Sequence, residues 1–195
     1  EHYTVSDIDP LHLRYLANRY DHVPHVRVRK VDLANKADFD SLKGTFDTVV
    51  CLNVLEHVAD DATGLQNMYA ALQPGGRAIV LVPRGRWLYG SLDVVLGHYR
   101  RYTAEELLGR ARAAGFEVER MFDFNRAGVP GWFLNAVLLK RKYFGRLQLK
   151  VYDSLVWLFR CLDRWLPWRG LSWIVVLRRP ATAAGHGRQT LATAA

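Results

Sequence analysis

Four places in this chain set polar side chains at the end of a short apolar run, where an open parallel sheet presents groups to a ligand. Asp7 ends the run Tyr3–Ile8, Asp32 closes Val26–Val31, and Asn53, Glu56 and His57 follow Thr48–Leu52. A carboxylate fixed at a strand's end can accept two hydroxyl donors at once. A histidine there, with an ordinary pKa near neutrality, can take or give a proton. The fourth place is the block from Pro83 to Thr103, which follows the run Ala78–Val82 and carries Tyr89, His98, Arg100 and Arg101. Of the two histidines His98 is the preferred general base, and His57 either shares that work or shapes the site. Arg100 or Arg101 could hold a carboxylate or phosphate bidentately. Plainer readings stand beside these: Asp7 as a turn residue, and the arginine pair as a solvated face before a helix. No cluster with metal-ligand spacing and no nucleophile motif stands elsewhere, so no metal is expected.

The elements that must position these residues alternate. Asp9 as N-cap and Pro10 at the first helical position open a helix with apolar residues at Leu11, Leu13, Tyr15, Leu16 and Tyr20. Asp61 to Leu72 reads as a second helix, with Leu65, Met68, Tyr69 and Leu72 on one face. Thr103 and Glu106 have capping-box spacing and open a third, which runs to about Ala114 with Gly115 past its end. Glu117–Phe124 and Trp173–Arg178 are the last strand candidates. The run Thr48–Leu52 reads as a strand buried on both faces. Strands alternating with helices define an α/β fold with a parallel sheet.

The chain has 195 residues, half of them hydrophobic, enough for the core of one domain. Its two cysteines, Cys51 and Cys161, lie far apart and suggest a reducing, cytoplasmic compartment. No signal peptide or membrane-spanning run is read. Charge is uneven: residues 1–125 hold 15 basic and 17 acidic residues, whereas residues 126–195 hold 12 and 2. The basic end suggests an anionic partner. Within it, Leu149–Leu166 has the pattern of an amphipathic helix, preceded by apolar Trp132–Leu139 and basic Lys140-Arg-Lys142. It is read either as a cover over the sheet or substrate pocket, or as a segment (residues 132–166) that touches an anionic membrane surface. Its aromatics lie on the apolar stripe rather than as an exposed stacking platform, so no nucleic-acid partner is expected. Residues 181–195, rich in Ala, Thr and Gly, read as a disordered tail.

The stretch Phe46-Asp-Thr-Val-Val-Cys-Leu-Asn-Val-Leu-Glu-His57, followed by Pro74-Gly75-Gly76, resembles the fourth-strand motif of class I S-adenosylmethionine-dependent methyltransferases. The resemblance implies a Rossmann-like, mostly parallel sheet flanked by helices, with S-adenosylmethionine as cofactor. It implies that Asp7, with Ile8, bonds the cofactor ribose, that Asp32 and Leu33 hold its adenine, and that Asn53 and Val54 lie near its methionine portion. The block after Pro83 resembles a subgroup associated with sugar, lipid-linked or quinone-type substrates. Tyr89, Arg100 and Arg101 are therefore expected at the acceptor, and O-methylation of a small-molecule, sugar or lipid-linked acceptor is the expected reaction. The family's first strand and glycine-rich loop belong before Tyr3. Residues 1–180 are accordingly read as a partial methyltransferase domain lacking its central strand, with 126–170 a helical cover inserted before the last strand, and the chain alone is expected to bind cofactor weakly. The alternative is a non-catalytic module for membrane or partner binding. A nicotinamide-dependent oxidoreductase is disfavoured by the fourth-strand motif and the Pro-Gly-Gly turn.

Overall fold

A computed structural model describes residues 2–181, so all of the tail expected at 181–195 except Ala181 lies outside the described residues. Strand β1 (Tyr3–Asp7) leads into helix α1 (Pro10–Tyr20) and back to strand β2 (Val26–Lys30), which pairs with β1 in parallel. Asp9 caps α1 as its sequence predicts, its carboxylate accepting the Leu11 N–H at 2.7 Å. Strand β3 (Phe46–Leu52), helix α2 (Asp61–Ala71) and strand β4 (Leu72–Pro83) form the next unit, with β3 and β4 parallel. After the short helix α3 (Ser91–Leu96) and helix α4 (Ala104–Ala113) comes strand β5 (Glu117–Phe124). Helix α5 (Gly128–Trp132) continues as a π-helical stretch, Phe133–Leu138. Helix α6 (Arg146–Leu162) and strand β6 (Ser172–Arg178) complete the chain.

The strands form two sheets. One is the β1–β2 pair; the other has the order β3-β4-β6-β5, with β6 antiparallel to both its neighbours. The arrangement is Rossmann-like. The core lies where β4 is enclosed on both edges: Ala78, Val80 and Val82 are fully buried among Leu65, Met68, Leu107 and Val175. The expected Pro-Gly-Gly turn is an excursion within β4. Leu72 pairs with Phe46 and Arg77 with Thr48, so Gln73–Gly76 loops out opposite Asp47. Gly75 has φ +84°, a conformation that favours glycine.

The expectation that Thr48–Leu52 is buried on both faces needs correction. β3 is an edge strand, hydrogen-bonded to β4 alone, and Val50 and Leu52 are 58% and 51% exposed. Apolar content identified a strand but not its neighbours. The amphipathic helix expected at Leu149–Leu166 begins earlier and ends at Leu162 in a 3₁₀ turn, Asp163–Trp165. None of its residues is buried; Leu155 and Leu158 are half-buried and Leu162 is exposed. Among the described residues no helix is long and apolar enough to cross a membrane.

Candidate active site

A cleft of about 560 Å³ opens between the end of the β1–β2 pair and the free side of β3. Asp7, Ile8, Asp32, Leu33, Val54 and His57 all line it. Strand ends bring the first five together: β1 delivers Asp7 and Ile8, β2 delivers Asp32 and Leu33, and β3 delivers Val54. One Asp7 oxygen accepts the Asp9 N–H at 2.9 Å, and His12 lies 3.3 Å from the other. The Asp9 N–H is the main reason the Asp7 carboxyl sits below its ordinary pKa, which keeps it ionised at neutral pH. Asp32 accepts the Ala34 N–H at 2.9 Å, while its own N–H donates to Asp38 at 2.8 Å. Asn53 does not line the cleft. It is exposed, with φ 52°, and its N–H donates to the Leu81 carbonyl.

A 3₁₀ turn, Leu55–His57, follows β3 and turns Glu56 inward. Glu56 is fully buried and neither of its carboxylate oxygens has a hydrogen-bond partner. Burial pushes its pKa up to about 7. His57 and His98 meet edge to face, their ring centroids 4.7 Å apart. Burial, with the neighbouring His98, lowers the His57 pKa, while a backbone hydrogen bond at Gly97 opposes that shift.

Behind His98 stands a buried relay. Its Nδ1 is 2.8 Å from Asp93 Oδ1, and Arg101 Nε reaches the same oxygen at 2.8 Å. The other Asp93 oxygen accepts the Gly90 N–H at the start of α3. Burial pushes the Asp93 carboxyl up, but the His98 and Arg101 hydrogen bonds outweigh it, and the net shift is downward. An ionised Asp93 fixes the tautomer of a neutral His98 with the proton on Nδ1, leaving the Nε2 lone pair free.

Arg100 and Arg101, expected at an acceptor's anionic group, are both already engaged inside the protein. The Arg101 side chain is 1% exposed, held by Asp93 and by the Arg84 carbonyl, and stacked 4.5 Å from the Trp132 ring. Arg100 pairs with Asp61 at 2.8 Å and donates to the Ala59 carbonyl at 2.7 Å. Asp61 is buried and also binds Tyr102 and Arg110, so three donors converge on it. Tyr89, Arg100 and Arg101 do border a second cavity of about 320 Å³. Tyr89 donates its hydroxyl proton to the His98 carbonyl at 2.8 Å. Tyr99 borders both cavities.

Sequence reasoning assigned no role to Asp93, Asp61 or Tyr99. Asp93 had one local signal, its position three residues after Gly90 at a helix start. The partners of Asp61 are brought to it only by tertiary packing.

The fold is Rossmann-like, with a cleft at its strand ends, where open α/β sheets place their ligand crevice. Comparisons narrow this. Residues 1–78 match the family profile described as a methyltransferase domain. Over 127 residues the chain is 33% identical to a Mycolicibacterium smegmatis protein named "Probable S-adenosylmethionine-dependent methyltransferase", which covers 61% of this chain and 49% of that protein. The chain thus spans about half the length of the curated relative it matches. Among solved structures it is similar to an S-adenosylmethionine dependent methyltransferase from Mesorhizobium loti, with TM-score 0.58, 16% identity, and coverage of 91% of this chain and 80% of that one. It is also similar to the trans-methyltransferase CalH in complex with SAH, with TM-score 0.56, 18% identity, and coverage of 91% and 42%. At such identities the structures speak for the fold. The profile matched over residues 1–78 and the relative's name both point to methyltransferases, and the solved structures share the Rossmann-like fold that the fourth-strand motif implied.

Proposed function

We propose that this chain forms the cofactor cleft and acceptor wall of an S-adenosylmethionine-dependent methyltransferase that methylates an oxygen of a small-molecule, sugar or lipid-linked acceptor. One observation carries the reading. Five residues expected at the cofactor, Asp7, Ile8, Asp32, Leu33 and Val54, line a single cleft, and Tyr99 borders both that cleft and the second cavity. The residues fit the cofactor's chemistry. Asp7 and Asp32 offer carboxylates to ribose hydroxyls and an adenine amine, and Ile8, Leu33 and Val54 offer apolar surface to the ring. The bound cofactor supplies an activated methyl group, which leaves the protein to align the acceptor and remove its proton.

His57 lines the cleft, whereas His98 lies just behind it, its side chain 8% exposed and bordering neither cavity, yet His98 has the partner that a base needs. Asp93 holds its Nδ1–H, so Nε2 is the basic atom, and an imidazolium formed there would be stabilised by the buried carboxylate. Tyr89 and Tyr99 form the accessible acceptor wall, while Arg100 and Arg101 stiffen it from behind through Asp61 and Asp93. A lipid-linked acceptor is favoured by the exposed apolar residues Leu147, Val151 and Trp157 of α6, interspersed with Arg146, Lys150 and Arg160. The same surface supports peripheral membrane contact through residues 132–166.

Replacing Asp7 tests the cofactor reading. Asp7→Ala should weaken S-adenosylhomocysteine binding by about 1.5–3 kcal/mol, the range for losing hydrogen bonds to a charged group. Calorimetry that shows equal affinity for the variant and the parent would overturn the assignment.

A further inference from the structure

The buried carboxylate of Glu56 has no hydrogen-bond partner, although a charged or polar group placed so deep is ordinarily satisfied. Two imidazoles face it. Donor atoms of Glu56, His57 and His98 all lie within 4.8 Å of one another. Bonds of about 2.0–2.2 Å to one ion require donors about 3.0–3.5 Å apart, so small side-chain rotations would close the set. Each histidine also has a second partner of the kind that orients a metal ligand: Asp93 at Nδ1 of His98, and a backbone hydrogen bond at Gly97 for His57. Arg101 in turn fixes Asp93.

We propose that Glu56, His57 and His98 form a binding site for one divalent transition-metal ion, with at least one coordination position open to the cleft. Two imidazoles and one carboxylate favour zinc, cobalt or iron(II) over magnesium or calcium, which prefer an all-oxygen shell. A dication would give the orphaned Glu56 oxygens their missing partner. His57 is exposed and borders the cleft, which provides the route of entry. The site holds its ion independently of cofactor binding, since neither Asp7 nor Asp32 is a ligand. It also sets a condition on His98. The Nε2 lone pair belongs either to a proton or to the ion, so His98 is a general base only in the metal-free protein.

The test is titration of the full chain with Co²⁺, read by its visible d–d absorption, with bound metal counted after equilibrium dialysis. One Co²⁺ per chain is expected, displaced by Zn²⁺ and unaffected by equimolar Mg²⁺. Because its ring is exposed, His57→Ala should fold normally and weaken binding at least tenfold. Asp93→Asn should weaken it by about 10–100-fold, as loss of an orienting partner does. Asp7→Ala should keep the metal while binding S-adenosylhomocysteine more weakly, which separates failure of this site from failure of the cofactor reading. No Co²⁺ uptake by the parent chain, or equal uptake by His57→Ala, would overturn the proposal.

Discussion

At the scale of single residues, carboxylates organise this structure by drawing donors from distant parts of the chain. Asp123 is the clearest case outside the cleft: it accepts the Gly170 N–H at 2.5 Å and the Arg126 guanidinium at 3.1 Å, and so ties the end of β5 to the segment that enters β6. Burial pushes its pKa up, but the Gly170 N–H and Arg126 outweigh this and leave it below the ordinary value. A depressed folded-state pKa means that the fold prefers the ionised form. The stabilisation is therefore present above the unfolded value of about 3.9 and is lost as pH falls through the lower folded value. Asp123→Asn should cost about 1–2 kcal/mol at neutral pH, with the gap from the parent shrinking below about pH 4. Urea unfolding of both proteins across that range checks this, and a gap independent of pH would count against it. Single residues were also where sequence reading reached its limit. Asp7 and Asp32 were legible because strand ends present carboxylates to a cleft. Arg100 and Arg101 looked free because their acids, Asp61 and Asp93, meet them only after the loops fold.

Among elements, those defined by local rules were legible. The Thr103–Glu106 capping box forms as its spacing predicts: Thr103 Oγ1 accepts the Glu106 N–H at 3.2 Å, and Glu106 accepts the Thr103 N–H at 3.1 Å. Both bonds lie within one turn, so sequence alone specifies them. The π-helical stretch Phe133–Leu138 was not legible. Its placement depends on contacts with the Pro83–Thr103 block, where Ser91 bonds the Ala136 carbonyl and Gly90 lies so close to Ala136 that a Cβ would overlap its backbone. Helix α6 was legible as amphipathic, but periodicity does not name the surface that covers its apolar stripe. With no residue buried, α6 should bring the protein down with anionic vesicles at low salt. Added salt should release it, since surface charges are screened within about 10 Å at 0.1 M. Arg160→Glu/Arg164→Glu should abolish the effect, and failure of the parent protein to sediment would leave α6 as a cover only.

At the scale of the whole fold, the decisive feature is that among the described residues no strand ladder joins β1–β2 to the four-stranded sheet. The core cluster sits under β4, α2 and α4, whereas β1, α1 and β2 contain no buried residue. The molecule thus has one well-packed half and one held mainly by its own local bonds. Such a division gives local opening far below the global unfolding free energy. Amides of β1 and β2 should exchange with deuterium much faster than those of β4 and β6, under conditions where the molecule as a whole stays folded. Equal protection in both sheets would show that they unfold as one unit.

That division gives the cleft two walls of unequal packing. Asp7 and Asp32 ride on the lightly held half, while Val54 and His57 ride on the firm one. A ligand that grips both sides therefore bridges two sheets that strand pairing leaves unjoined. Any contact that holds the β1–β2 pair against β3 beforehand would tighten binding without touching the ligand at all.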